Sequence, residues 1–294
     1  MNVGSTEVSL TPFYGFSPVL KSLHILVNML QNSQIFDLIS SLPILEDMTL
    51  AANGTDPDDV LSPDVPQPAV QPSTSPPFTG TLDLALLLGM GPVMRRLLGL
   101  PSGAHFRKLV LLWLHNADFR WLNALVVGCS GTLECLTITS YVLGTPTSFL
   151  PLAHNPPSFA GDSDPASIDL SKATKLRDAA FILTSPDVEW ITLALQTITP
   201  EHRHLQRISI CVLFTLALSR VGADLGQVIP AIGGSVSDWW LDLDHLLVQF
   251  WESHSIRPNI TCVMLNKEKE IRECMGHLLP ETTERGIIDL DLGQ

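Results

Sequence analysis

The chain has 294 residues, with 17 lysines and arginines against 30 aspartates and glutamates, a formal net charge of −13, and 45 % hydrophobic residues at a mean hydropathy of +0.26. That acidity argues against nucleic acid or an anionic membrane surface as the main partner, because both require a positive protein surface. The five cysteines are odd in number and form no C-x-x-C pair, which argues against a disulfide framework or a zinc module.

Taken in chain order, residues 1–19 read as part of an earlier unit, with Val8 and Leu10 alternating. Leu20–Met29 is a predicted strand. Residues 31–42 then carry Ile35, Phe36, Leu38, Ile39 and Leu42 at helical spacing, after an N-capping Ser33 and before Pro43. Leu45–Leu50 is the next strand. Residues 51–78 are rich in proline and aspartate and contain no lysine or arginine, so they cannot bury enough apolar surface to order themselves and are expected to form a disordered insertion. Leu82–Leu87 and Phe106–Leu114 are strands, with a short helix from Pro92 to Leu98 between them.

Phe119, Leu122, Leu125 and Val126 make a helical stripe, and Leu133–Thr139 is a strand. Residues 145–166 form a second insertion, a loop rich in Pro, Ser and Asp. Leu176–Ile182 is extended. A helix follows, with Ser185 as its expected N-cap, Pro186 as its first residue, and Val188, Ile191, Leu195 and Ile198 on one face. Leu205–Leu213 is a strand. Residues 238–251 read as a helix apolar over most of its circumference, which is either buried or held for a partner. The last unit is the strand Ile260–Leu265, a helix through Ile271, Cys274, Met275, Leu278 and Leu279, and the extended Ile287–Leu290.

A common phrase underlies these strands: an apolar residue at the first, fourth and sixth positions of a six-residue window. Its clearest copy is Leu133-x-x-Leu136-x-Ile138. Windows begin at Leu20, Leu45, Thr79, Phe106, Leu133, Leu176, Leu205, Arg257 and Arg285, at spacings of 25, 34, 27, 27, 43, 29, 52 and 28 residues. Leucine-rich repeats run at about 20–29 residues, each supplying one strand and one helix or 3₁₀ turn. The hexapeptide alone carries little weight in a chain this apolar. Its alternation with helix-length segments carries more. The expected fold is therefore α/β: one leucine-rich-repeat-like solenoid over residues 1–294, with a curved, mainly parallel sheet and helices on the outer face. Such a solenoid caps its first open edge with a polar unit. None is visible ahead of Leu20, so the N-terminus reads as truncated or paired with something else.

Chemistry-bearing patterns are sparse. There is no G-x-S-x-G elbow, and Gly89-Met-Gly91 and Gly233-Gly234 belong to no phosphate-binding motif. His202 and His204 read as exposed turn residues, and Asp238, Asp242 and Asp244 as the solvated edge of an apolar helix. No catalytic residue, cofactor or metal is expected. The N-terminus is no signal peptide, and the longest apolar run, Leu84–Met94, is too short to span a membrane. Asn53-Gly-Thr55 and Asn259-Ile-Thr261 are glycosylation sequons on paper. A cytoplasmic or nuclear location is expected.

The stretches 33–50, 105–110, 129–136, 168–178 and 188–191 resemble a large family of fungal F-box proteins whose C-terminal regions are leucine-rich-repeat-like, over most of residues 17–290. The resemblance implies the substrate-receptor role of a cullin-RING (SCF) ubiquitin ligase. There the F-box binds a Skp1-type adaptor and the repeats hold the substrate. The F-box itself is absent from this chain, so adaptor binding is expected only if one is supplied. The partner-binding surface is expected on the outward strand positions Asp47, Thr49, Lys108, Thr137, Asp178, Arg207 and Ser209. The alternatives are an α/β enzyme without a recognisable motif and a truncated, nonfunctional fragment.

Overall fold

The computed structural model of the chain describes residues 20–30, 45–55, 79–86, 94, 97–99, 103–113, 119–140, 167–183, 188–213, 236–262, 268–287 and 289–291. The fold is α/β. Among the described residues, nine strands form one sheet whose spatial order is the sequence order, and every neighbouring pair is parallel. They are β1 (Ser22–Leu30), β2 (Asp47–Thr55), β3 (Thr81–Leu86), β4 (Lys108–Trp113), β5 (Cys135–Ser140), β6 (Asp178–Leu183), β7 (Arg207–Val212), β8 (Asn259–Cys262) and β9 (Asp289–Asp291). Parallel neighbours need a crossover between them. The described crossovers include α1 (Phe119–Cys129), α2 (Glu189–Gln196), α3 (Val236–His254), α4 (Glu268–Leu278) and the short α5 (Pro280–Glu284).

The windows set the register. Leu23, Met48, Leu82, Leu109, Leu136, Ala179 and Ile208, the fourth positions, pair in succession from β1 to β7, and the sixth positions Ile25, Leu50, Leu84, Leu111, Ile138, Phe181 and Ile210 do likewise. All are buried. They form one hydrophobic cluster with Leu122, Leu125 and Val126 of α1, Trp190, Ile191 and Leu195 of α2, and Trp240, Leu243 and Leu247 of α3. Each fully buried leucine in such a row contributes about 1.5–3 kcal/mol. Phe181 of β6 meets Trp190 of α2 edge-on, with centroids 5.6 Å apart.

A second ladder precedes each strand. The carbonyl of the second window residue accepts two N–H groups from the next window, except at Glu46, which accepts only that of Gly80 while the Thr81 N–H goes to Asp47 Oδ1. Lys21 takes Glu46 and Asp47 at 2.8 and 3.0 Å, and Arg107 takes Glu134 and Cys135 at 2.7 and 2.9 Å. Glu134 takes Arg177 and Asp178 at 2.7 and 3.2 Å, and Arg177 takes Gln206 and Arg207 at 2.8 and 3.0 Å. Gly80 stands in this row. A Cβ there would meet the Asp47 carboxylate and lie 2.6 Å from the Glu46 carbonyl.

Several expectations are corrected. β2 runs to Thr55, so residues 51–55 belong to the sheet and not to the insertion: β1 extends alongside and supplies pairs such as Leu26 with Ala51 and Leu30 with Thr55. Residues 56–78, the insertion 145–166 and the helix at 31–42 lie outside the described residues. Helix α2 begins at Glu189, with Val188 as an N-cap that makes no side-chain bond; Ser185 and Pro186 lie outside the described residues. The Arg257 window is out by two residues. Ile260 pairs with Ile210, so the repeat at β8 is Ser255-x-x-Pro258-x-Ile260. Because strand side chains alternate with period two, that slip leaves the inward face unchanged.

Asp244 is buried, not solvated. From α3 its carboxylate accepts the N–H groups of Glu281 and Thr282 at 2.7 and 3.0 Å and caps α5 from outside. His202 is likewise fully buried. Its Nδ1 accepts from the Thr199 N–H at 3.1 Å, and its Nε2 lies 2.9 Å from the Leu170 carbonyl, to which it donates. The same segment is held from two other sides, by Asn123 Oδ1 accepting the Asp169 N–H and Thr197 Oγ1 accepting the Leu170 N–H. Helix α3 is not apolar all round: Trp240, Leu243, Leu247 and Phe250 are buried, while Asp242, His245, Gln249 and Glu252 are exposed.

Two substitutions test this backbone. Gly80→Ala forces a methyl into the carbonyl ladder and is expected to cost about 1–3 kcal/mol, read as a lower urea midpoint. Ser255, just past α3, sits at φ 55°, the left-handed region that glycine favours. Ser255→Gly is expected to raise stability by about 0.5–1 kcal/mol in the same titration.

Candidate functional site

The alternation of the strands puts odd window positions on the face opposite the core. β5 and β6 alternate strictly between half-exposed and buried residues, and β7 does so after an exposed Arg207. All seven candidate residues fall on this face, in two rows. Third positions give Asp47, Lys108, Asp178 and Arg207, with Thr81 and Cys135 between them. Fifth positions give Thr49, Thr137 and Ser209, in register with Asp83, Val110 and Ala180.

The two rows differ chemically. The third-position row is largely occupied by its own cross-strand bonds. Asp47 Oδ1 accepts the Thr81 N–H at 2.6 Å, Arg207 pairs with Asp178 at 2.9 Å, and the Cys135 thiol donates to Asp178 Oδ2 at 3.6 Å. The Arg207–Asp178 pair is well exposed, and pairs of that kind contribute at most about 1 kcal/mol. Their carboxylates and guanidinium are thus committed first to register. The fifth-position row is made mostly of short neutral side chains, with Asp83 its one carboxylate from β2 to β7, and beyond it lie Leu112, Thr139, Ile182 and Cys211, all half-exposed. The face therefore grades from charged at the start of the strands to small and apolar further along.

A second feature escaped the sequence reading. At the strand-entering edge, the anchor Thr79 and residues just before the next windows or at their second positions surround a hollow of about 300 Å³, lined by Thr79, His105, Arg107, Thr132, Glu134 and Lys175. Arg107 Nε donates to the Thr79 carbonyl at 2.8 Å, and Arg177 approaches Glu134 at 3.9 Å. The signal was present in the repeat: positions flanking each anchor stack in register on the same edge, so His105, Thr132 and Lys175 form one row and Arg107, Glu134 and Arg177 another.

Four of the five cysteines carry no activation. Burial pushes the Cys129 and Cys274 thiols up to about 11 and Cys262 to about 12. Cys135 is also raised, first by burial and then by the neighbouring Asp178 charge. Thiolate is the nucleophilic form, so none of these four is poised for attack. Among the described residues no group of His, Cys, Asp and Glu has the geometry to hold a metal ion, and no helix is long and apolar enough to cross a membrane.

Comparison with protein-family models, curated proteins and solved structures finds no match for the chain.

The thiols give a direct test of the packing. At pH 8, Cys129, Cys262 and Cys274 are expected to react with a disulfide reagent only after denaturation, whereas half-exposed Cys135 and Cys211 react first. The pH dependence has a fixed sign. Unfolded thiols ionise near 9.0 and the buried ones hold their protons to about 11 or 12, so between those values only the unfolded chain releases protons. Stability, intact below pH 9, is expected to fall as pH rises toward 12, by up to about 1.4 kcal/mol per pH unit for each thiol. Unchanged alkaline stability in a urea titration would contradict the burial.

Proposed function

We propose that this chain is a protein-recognition scaffold of the leucine-rich-repeat-like solenoid type, binding a protein partner on the outward face of its parallel sheet. One observation carries this reading: nine parallel strands follow one another in space as they do in sequence, with one face packed into the core and the other half-exposed and furnished with varied short side chains. A repeated strand–crossover unit of this kind builds an extended surface in which each repeat contributes one or two side chains. The resemblance of residues 17–290 to the repeat region of fungal F-box proteins supports a role as the substrate-holding part of a cullin-RING ubiquitin ligase receptor. Under that reading, contact with a Skp1-type adaptor requires an F-box in addition to the repeats.

Within the face, Lys108, Thr49, Thr137 and Ser209 are the contact residues this reading favours. Asp47, Asp178 and Arg207 serve the sheet first and a partner only at their rims.

The test is affinity purification of the tagged chain from its own cells, with and without the double substitution Thr137→Arg, Ser209→Arg. Both side chains point away from the core, so the variant is expected to keep its thermal midpoint within a few degrees while losing its co-purifying partner at least about tenfold, as central steric and charge intrusion does at an interface. Retention of every partner by the folded variant would sink the reading.

A further inference from the structure

We propose that the strand-entering edge across β4–β6 is a docking site for an acidic peptide segment of the partner, with one carboxylate seated in the hollow between Arg107 and Lys175. This rests on the recognition reading above and specifies the chemistry the partner must bring. The chain as a whole is acidic, at −13, yet its cations are not evenly spread. Arg107, Lys108, Lys175, Arg177, Arg203 and Arg207 all lie in the third of the chain that forms β4–β7, at or just before the strand starts.

The hollow concentrates this charge. Arg107 and Lys175 line it together with His105, and the opposing Glu134 is already approached by Arg177 at 3.9 Å. Counting that pair as neutral leaves two cations facing the space and, among the described residues, no further anion to answer them. Arg107 is also held in place: its Nε is spent on the Thr79 carbonyl at 2.8 Å, which leaves the terminal guanidinium nitrogens as donors with an orientation already fixed. A pre-ordered guanidinium binds a carboxylate with less loss of side-chain freedom than a mobile one. Lys175 makes no ion pair among the described residues. The hollow opens beside the third-position row, so an acidic segment lying along the strand starts meets Arg107 and Lys108 at the start of β4 and Lys175 ahead of β6, with Glu134 and Cys135 at the start of β5 between them.

The edge is separable from the fold. The backbone ladder here uses the carbonyl and N–H of residue 107, not its side chain. Arg107→Ala with Lys175→Ala therefore removes the charge and leaves the register bonds.

The experiment measures fluorescence anisotropy of a labelled octapeptide of alternating Asp and Ser, against the same peptide with Lys in place of Asp. The chain is used whole, at low salt and again at roughly fourfold higher salt. The expected result is saturable binding of the Asp peptide only, weakened by salt, and weakened at least about tenfold in the Arg107→Ala, Lys175→Ala variant with an unchanged circular dichroism spectrum. Absence of saturable binding, equal binding of the Lys peptide, or undiminished binding by the double variant overturns the inference. The Thr137→Arg, Ser209→Arg variant separates the two proposals. If it loses the cellular partner while the edge variant keeps both partner and peptide, the edge assignment fails and the sheet-face reading stands.

Discussion

Everything in this structure depends on the register of the parallel ladder. Two sets of bonds fix it together. Inside, the fourth and sixth window positions stack Leu23 on Met48 on Leu82 and onward, and a shift of one residue would turn the whole row out to water. At the strand starts, second-position carbonyls take N–H groups from the next strand, two each at Lys21, Gly80, Arg107, Glu134 and Arg177, while Glu46 takes one and Asp47 Oδ1 takes the other. Hydrophobic burial supplies the stability, and the carbonyl ladder supplies the alignment. Gly80 shows how tightly they are coupled, since the neighbouring backbone leaves no room for even one methyl group.

Register also decides which residues are left for a partner. Third positions stand close enough across the sheet for charge to matter, and there the chain alternates sign or places a short acceptor: Asp47 on the Thr81 N–H, Arg207 on Asp178. The bonds at each exposed pair are weak, yet they occupy the polar atoms. Fifth positions are spaced identically but hold Thr49, Thr137 and Ser209, with Val110 and Ala180 among them and Asp83 as the one carboxylate, so most of the row stays open. The proposed recognition surface is what the alignment does not use. The strand-entering hollow is different again, because its cations outnumber the one carboxylate that faces them.

The strands were legible in the sequence because a buried strand needs apolar residues at a period of two, and Leu136 and Ile138 say so directly. The crossovers were legible as elements and less so at their ends. α2 starts at Glu189 after a Val188 that makes no side-chain capping bond, so no capping residue marks that start in the sequence. The β8 window was misplaced by two because Ser255 and Pro258 stand where a leucine-like phrase would have been expected, and only the pairing of Ile260 with Ile210 settles it. Buried polar groups were the real blind spot. Asp244 and His202 look like surface residues by type. Each is buried because a long-range backbone partner, the start of α5 or the Leu170 carbonyl, needs it. The outward face was read correctly as a face, but which of its residues are already bonded follows from distances across strands that sequence spacing does not contain.

The most direct test of the central claim is site-specific photo-crosslinking in cells. A benzophenone amino acid is placed at Thr137, on the open sheet face, and in a separate protein at Gln249, exposed on α3. A discrete adduct of higher mass from position 137 and none from 249 is the predicted result. An adduct from 249 with none from 137 would place recognition on the helical side and contradict the account.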